Sequence, residues 1–253
     1  MSGAGGRGGA GGAPGLPWWP AERSAEHAGG REPLTRARIV EAALAIIDRD
    51  GLDALSMRRL GDELGAGTTS VYWHVANKDQ LLDLVLDEVL GRIGDEVQEA
   101  PGDWRETMRR VAWGMRAVLV RHRNAVSLLG ERMGMGPRAL DGVERAQAAL
   151  MDAGFPLRLS VLTVQTVTNF ASGWAVFECR IPAGAPGGTR TSAELDTIVA
   201  GMLRSLPPER YPSLVAAATA YGSIGWDEQF TFGLERLLDG IELALAAGGG
   251  AGA

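Results

Sequence analysis

Arginine and short hydroxyl side chains are grouped in one stretch of the chain where they could contact a nucleic acid. Arg58 and Arg59 precede the run Thr68-Thr69-Ser70. A guanidinium can donate two hydrogen bonds to O6 and N7 of guanine, and hydroxyls can contact either base edges or phosphates. These residue types are therefore suited to reading double-stranded DNA.

Two short helices around a tight turn would position these side chains. We predict a first helix over 56–64, a turn at Gly65-Ala66-Gly67 and a second helix over 68–74. A helix-turn-helix needs glycine in its turn because the two helices cross steeply. Its second helix enters the major groove with polar side chains and packs on the scaffold with its apolar face. We therefore expect Thr69 and Ser70 to contact bases, although each hydroxyl could instead cap the helix.

The remaining DNA contacts follow from position. Arg58 is the first choice for base readout, and Arg59, about 100° around the helix, should point to phosphate or solvent. Trp73 could cover the turn or reach the DNA backbone, and Lys78 suits a phosphate because it opens the next helix. The complete predicted DNA-binding set is Thr35, Arg58, Arg59, Thr68, Thr69, Ser70, Tyr72, Trp73, His74 and Lys78.

Charge and composition exclude several function classes but do not by themselves indicate DNA binding. The net charge is −6, and residues 31–80 hold seven basic and eight acidic side chains. The single cysteine excludes an internal disulfide, and three scattered histidines do not make a metal site. We find no phosphate-binding glycine loop or nucleophile elbow, which argues against an enzyme. No apolar run reaches the ~18 residues of a membrane helix, so we expect a cytoplasmic protein without a cofactor.

The chain divides into four segments by composition. Residues 1–33 are rich in glycine, alanine and proline and predict a disordered tail containing Trp18 and Trp19. We assign 34–78 to a helix-turn-helix DNA-binding domain, 79–247 to a helical ligand-binding and dimerisation domain, and 248–253 to a frayed tail. The fold class is all-α: a three-helix head joined by a long connector helix to a helical body.

Apolar periodicity and capping residues predict the helices. Thr35 should cap the first helix and Gly51 should end it, and Asn77 with Gln80 should cap the connector helix, which Pro101-Gly102 ends. In the body we expect helices over 104–120, 124–131, 137–153, 156–179, 192–204 and 227–247, with a loop over 181–191.

These features resemble the TetR family of transcriptional repressors. The resemblance rests on the helix 34–50, on Leu55-Ser-Met-Arg-Arg-Leu, and on Val71-Tyr-Trp-His-Val followed by Asn77-Lys-Asp-Gln-Leu-Leu. It continues into the body, where Arg121–Asn124, Asp152–Phe155 and Phe170–Gly173 resemble the tetracycline-repressor subgroup. The resemblance implies a homodimer that places its two helix-turn-helix motifs in a palindromic operator and is released by a small molecule.

The resemblance also suggests where an inducer binds. Glu178 aligns with the acid that the subgroup uses for a metal-bound drug, but Leu128 stands where the subgroup has its ligand histidine, so magnesium–tetracycline is not expected. Gln165 and Asn169 could face a pocket, the backbone or a partner subunit, and Met133 with Met135 could form an adaptable gate. The ligand candidates, some of which could equally be ordinary core residues, are Trp113, Met115, Leu128, Arg132, Gln165, Asn169, Phe170, Trp174 and Glu178.

The sequence therefore predicts a repressor that binds operator DNA as a homodimer and responds to a small apolar molecule. The helices 156–179 and 227–247 are the candidates for the dimer interface, because two apolar helices from each subunit can form a four-helix contact. The alternative is a helical ligand-binding or scaffolding module that has lost DNA binding, which the neutral charge of residues 31–80 keeps open.

Overall fold

A computed structural model of the chain describes residues 33–96, 103–180 and 192–249. All regular structure in these ranges is helical, which confirms the predicted all-α fold. The helices are α1 Arg36–Asp50, α2 Met57–Glu63, α3 Thr68–His74, α4 Lys78–Glu96, α5 Trp104–Arg121, α6 Leu128–Glu131, α7 Pro137–Asp152, α8 Leu157–Arg180, α9 Ser192–Arg204, α10 Pro212–Tyr221 and α11 Trp226–Gly249.

The described residues form two compact units. The head unit consists of residues up to Asp95 together with His122–Gly142, and the body unit consists of Glu96–Arg121 and the residues from Val143 onward. The head unit is thus larger than the DNA-binding segment 34–78 predicted from sequence. Helix α11 extends to Gly249, so the first two residues of the expected tail 248–253 are helical. The rest of that tail, residues 1–32, the loop 181–191 and the stop at Pro101-Gly102 lie outside the described residues.

Helix α1 begins and ends where its capping residues predict. The Thr35 hydroxyl accepts a hydrogen bond from the backbone N–H of Arg38 at 3.2 Å, and Gly51 ends the helix with a φ of 89°. Ile39, Ala43 and Ile46 are fully buried along one face. The caps therefore fix the length of α1, and its apolar face fixes how it packs within the head unit.

The helix-turn-helix depends on a close approach of α2 and α3. A Cβ on Gly61 would lie 3.0 Å from the Ala66 carbonyl oxygen and 3.2 Å from the Thr68 nitrogen. Gly65 adopts a φ of 59°, which favours glycine because it has no side chain to clash. Leu60 and Val71 are fully buried. Small residues in the turn and apolar residues at the contact therefore produce the predicted helix-turn-helix.

Helix α4 carries the predicted capping pair. The backbone N–H of Gln80 donates to Asn77 Oδ1 at 2.8 Å, and the Gln80 side chain accepts from the Ala76 N–H at 2.7 Å. Leu81, Val85 and Val89 are buried. Two of the free amides at this helix end are thus satisfied locally, which fixes the place where Lys78 begins the helix.

The core of the body unit lies among α5, α7, α8 and α11. Met108 and Ala112 of α5 pack with Val167 and Ala171 of α8 and with Phe230 of α11. The predicted helices of this unit are present, but α10 was missed by the sequence analysis. The segment predicted as one helix over 124–131, which belongs to the head unit, is instead a 3₁₀ turn at Arg123–Ala125 and the four-residue α6.

Candidate functional site

The side chains predicted to read bases are accessible to solvent. Arg58, Thr69 and Ser70 are all exposed. Within the described residues, none of the three makes a side-chain hydrogen bond or ion pair to the protein. Their donors and acceptors are thus available to an external partner, as base readout requires. We call Arg58, Thr69, Ser70, Tyr72 and Trp73 the reading surface.

Arg59 is engaged within the protein, unlike its neighbour Arg58. It pairs with Asp50, which also accepts from Arg49 at 2.8 Å, and Arg49 contacts Glu63 at 3.1 Å. The hydrogen bonds from Arg49 hold the pKa of both Asp50 and Glu63 below their usual values. Two acidic side chains of the head are therefore compensated internally, and Arg58 is the better candidate for DNA.

The hydroxyl residues do not cap α3. Gly67 occupies the N-cap position, and no side chain caps this helix. The interpretation of Thr68, Thr69 or Ser70 as capping residues is therefore wrong. Thr69 and Ser70 project from the first turn with free hydroxyls, while Thr68 is half-buried. Thr35 is used differently, because its hydroxyl caps α1.

The aromatic residues of α3 point outward. The indole of Trp73 is 76% exposed, so packing against the turn does not account for it, and Tyr72 is also exposed. His74 is half-buried, and its carbonyl oxygen accepts from Arg36 Nε at 3.4 Å. Lys78 is exposed at the first position of α4. Trp73 and Lys78 are thus both accessible to an external partner.

The body unit buries an ion pair inside a cluster of aromatic rings. The side chains of Arg116 and Glu178 are 8% and 10% exposed, and Arg116 Nε donates to Glu178 Oε1. The Arg116 guanidinium lies 5.0 Å from the Trp113 ring centroid and 4.8 Å from that of Phe230. Its Nη1 forms an ion pair with Asp227 Oδ1 at 2.8 Å. The buried cation is therefore shared between two carboxylates.

The rings form a continuous series of edge and tilted contacts around this pair. Centroid distances to Phe230 are 4.7 Å for Trp113, 5.2 Å for Phe170 and 6.1 Å for Trp174. We call these rings the ring cluster; its members are Trp113, Phe170, Trp174, Phe177, Trp226 and Phe230. Planar aromatic molecules favour such surroundings, because edge-to-face contacts add to the burial of apolar area.

The ligand candidates from the sequence separate into three groups. Trp113 and Trp174 contact Phe230, and Glu178 binds Arg116, which lies over the same ring. Met115 packs against the same core, and its sulfur accepts from the Ser172 hydroxyl. Leu128 is buried in the head unit, and Arg132 is bound to α4 within that unit. Gln165 and Asn169 are exposed on α8.

Arg116 and Phe230 were not selected from the sequence as site residues. A signal for Arg116 was present in the sequence, because it lies four and eight residues after the apolar Ala112 and Met108, on the same face of the predicted helix. Within the described ranges, no three His, Cys, Asp or Glu side chains are grouped as a metal site would require. No helix of the described part is long and apolar enough to cross a membrane.

Comparisons with known proteins match both units. Residues 39–85 match the family model described as bacterial regulatory proteins, tetR family, and residues 98–245 match the model described as tetracyclin repressor-like, C-terminal domain. An HTH-type transcriptional regulator of Saccharopolyspora erythraea is 37% identical over 209 residues, covering 82% of this chain and 84% of the relative. The chain belongs to the TetR family.

Two further proteins are similar to this TetR-family chain over most of their length. The class D tetracycline repressor protein of Escherichia coli is 32% identical, covering 85% of this chain and 92% of the relative. The crystal structure of the Streptomyces coelicolor TetR family protein ActR in complex with actinorhodin shares 35% identity, with a TM-score of 0.73, over 85% of this chain and 98% of that one. This chain is thus a ligand-responsive transcriptional repressor and not an enzyme, and the alternative of a module without DNA binding is not supported.

Proposed function

We propose that the chain represses transcription as a homodimer whose reading surface enters the major groove of a palindromic operator. Arg58 contacts a guanine, Thr69 and Ser70 contact base edges, and Tyr72, Trp73, His74 and Lys78 contact the backbone. The observation that carries this proposal is that Arg58, Thr69 and Ser70 are exposed and unpaired while Leu60 and Val71 of the same two helices are fully buried. Because the operator is on chromosomal DNA, we place the protein in the cytoplasm.

The proposal is tested by selecting bound sequences from a pool of random DNA duplexes. A homodimer with one reading helix per subunit should enrich a palindrome with half-sites about one helical turn apart or a multiple of it. The recovered operator should bind far more tightly than a scrambled duplex at the same salt concentration. Enrichment of no sequence by the intact protein would contradict the proposed function.

Exposed apolar side chains support a dimer interface formed by α8 and α11. Phe232 and Leu243 of α11 are 64% and 73% exposed, and Leu162 and Phe177 of α8 are also exposed. Such a surface is suited to a second copy of the chain, because the closed symmetry of a dimer buries the same helices of both subunits. Phe232→Glu should yield a monomer by light scattering at micromolar concentration.

A matched control separates interface disruption from added charge. Val143 is an exposed apolar residue of α7, outside the two helices of the proposed interface. Val143→Glu should leave the dimer intact. A monomeric wild-type protein at this concentration, or equal loss of the dimer in both variants, would contradict the interface.

We place the effector beside the ring cluster, with Arg116 and Glu178 contacting its polar groups. The support is chemical: aromatic rings bury a planar molecule, while a buried guanidinium and carboxylate read its hydrogen-bonding groups. The relatives include a tetracycline repressor and a protein crystallised with actinorhodin, and we extend this ligand class, polycyclic aromatic molecules, to the chain.

Tetracycline, with and without Mg²⁺, and actinorhodin are suitable probes of the effector site. Because Leu128 provides no metal-binding atom where the subgroup has a histidine, at least one probe should release the protein from its operator without Mg²⁺. The readout is fluorescence anisotropy of a labelled operator. A strict requirement for Mg²⁺ would contradict this assignment. So would the finding that no polycyclic compound either protects or releases the complex.

A further inference from the structure

The carboxylates of α4 are bound by a segment far away in sequence. Arg132, at the end of α6, donates from Nη1 to the Asp79 carbonyl oxygen at 2.9 Å and to Asp83 Oδ1 at 2.7 Å. Its Nη2 donates to Asp79 Oδ1 at 2.9 Å. The Arg132 side chain is mostly buried by these contacts. One guanidinium therefore holds the first turn and a half of α4, immediately after Lys78.

The same segment binds α4 again further along the helix. Asp87 accepts hydrogen bonds from the backbone N–H groups of Ala139 at 2.9 Å and Arg138 at 3.4 Å, in the first turn of α7. Burial raises the pKa of Asp87, and these two N–H groups act in the opposite direction. The Arg138 guanidinium bridges Glu88 and Asp95, the latter at 2.6 Å. Guanidinium and backbone N–H donors of this segment thus bind acidic residues along α4.

The beginning of the segment is bound to α1. His122 Nδ1 lies 2.8 Å from Asp48 Oδ2, and its Nε2 lies 3.3 Å from Arg92 Nη1. Because Arg92 can only donate, Nε2 accepts and Nδ1–H donates to Asp48. The Asn124 amide donates to the carbonyl oxygens of Ile47 and Asp48, both at 3.0 Å, at the end of α1. Residues 122–142 therefore join the end of α1 to the length of α4.

We propose that residues 122–142 form a clamp that holds α1 and α4 and neutralises the carboxylates beside Lys78 for operator binding, with Arg132 as its principal positioning residue. The inference rests on the proposed function. Asp79 is adjacent to Lys78, well within the ~8 Å over which charges act at physiological salt. Without Arg132, Asp79 and Asp83 would repel the phosphate that Lys78 approaches. Arg132 thus acts through α4 and does not itself contact DNA.

The clamp also accounts for DNA binding by a head segment that is not basic. Asp79 is paired with the cation Arg132, which lies outside residues 31–80. Glu41 is paired with Arg92 of α4. The charge balance of the segment 31–80 therefore underestimates the positive potential of the folded head unit, because distant residues neutralise its carboxylates.

The test compares Arg132→Gln with wild type on the operator recovered from the random duplex pool. We expect the affinity for the operator and for the scrambled duplex to fall equally, on the order of tenfold. A change of this size is typical when a group acts indirectly on a binding site. The slope of log K against log salt should change by less than 1, because no phosphate contact is removed and only a screened repulsion is added. Lys78→Ala, in contrast, should reduce that slope by about 1.

A second substitution distinguishes charge compensation from a general loss of folding. Asp79→Asn in the Arg132→Gln background should recover most of the lost affinity, and Asp79→Asn alone should bind at least as tightly as wild type. Arg145 is an exposed arginine of α7 in the body unit, and Arg145→Gln removes the same charge as a control. The control should bind like wild type.

Three results would overturn the clamp: wild-type affinity of Arg132→Gln, an equal loss in Arg145→Gln, or no recovery by Asp79→Asn. If the first result came with a lower melting temperature of Arg132→Gln, it would show that Arg132 has a purely structural role. Failure of the wild-type protein to select any sequence would instead contradict the proposed function, so the two failures are distinguishable.

Discussion

The reading surface and the buried pair of the body unit use polar side chains in opposite ways. Arg58, Thr69 and Ser70 are exposed and unpaired, whereas Arg116 and Glu178 are buried against each other and against aromatic rings. A rigid polyanion must meet side chains that protrude from a stable helix pair, while a small planar molecule is best recognised by groups that are already desolvated. Substitutions should therefore affect mainly binding in the first region and mainly folding in the second.

The largest effect is expected for Glu178→Ala. The Arg116 guanidinium would stay buried without its main partner, so the free energy of unfolding should fall by about 3–5 kcal/mol. Denaturation in urea measures the change. The double variant Arg116→Met, Glu178→Leu should be much less destabilised, because both charges are gone. A loss below about 1 kcal/mol for Glu178→Ala would show that the pair behaves like a surface ion pair.

Gly61→Ala should destabilise the head unit by about 1–3 kcal/mol, because the added methyl group would press on the backbone of Ala66 and Thr68. Gly201 is a matched control on α9, since a Cβ there meets nothing within 4 Å. Gly201→Ala should be neutral or stabilising, as alanine favours a helix. Thermal unfolding measures both variants. Equal melting temperatures would show that α2 and α3 accommodate the added methyl group without loss of stability.

Arg58→Ala should leave stability unchanged and weaken operator binding by roughly 1–3 kcal/mol, with relaxed preference at one base pair. Arg59→Ala is the comparison, because Arg59 is paired with Asp50, and its effect on binding should be smaller. Binding to a set of operators with single base changes measures both. Retention of full sequence preference by Arg58→Ala would be inconsistent with base readout.

The smallest of these effects is expected for Lys78→Ala. One phosphate contact is lost, so binding should weaken about equally on all duplexes and the salt slope should fall by about 1. Unfolding should be unaffected, because Lys78 is exposed. Titrations at several salt concentrations provide the measurement, and a loss confined to the operator sequence would point instead to base readout.

Local signals determined how much could be predicted from the sequence. The limits of α3 were predicted correctly because Gly65 and Gly67 mark the turn, and Thr35 and Asn77 were recognised as caps because capping needs only neighbouring residues. Helix α10 was missed because its alanine-rich sequence has little apolar periodicity. Leu128 and Arg132 could not be placed in the head unit, since nothing in their surroundings reveals a partner some fifty positions earlier.

The outward-facing indole of Trp73 gives the protein a built-in optical probe. If α3 docks on DNA, the duplex will shield this ring from a soluble quencher such as acrylamide, whereas Trp113 and Trp174 share contacts with Phe230 and will respond to an aromatic effector. Replacing Trp73 by phenylalanine would separate the two signals. Occupancy of operator and effector could then be followed in one cuvette, without attaching a dye to either component.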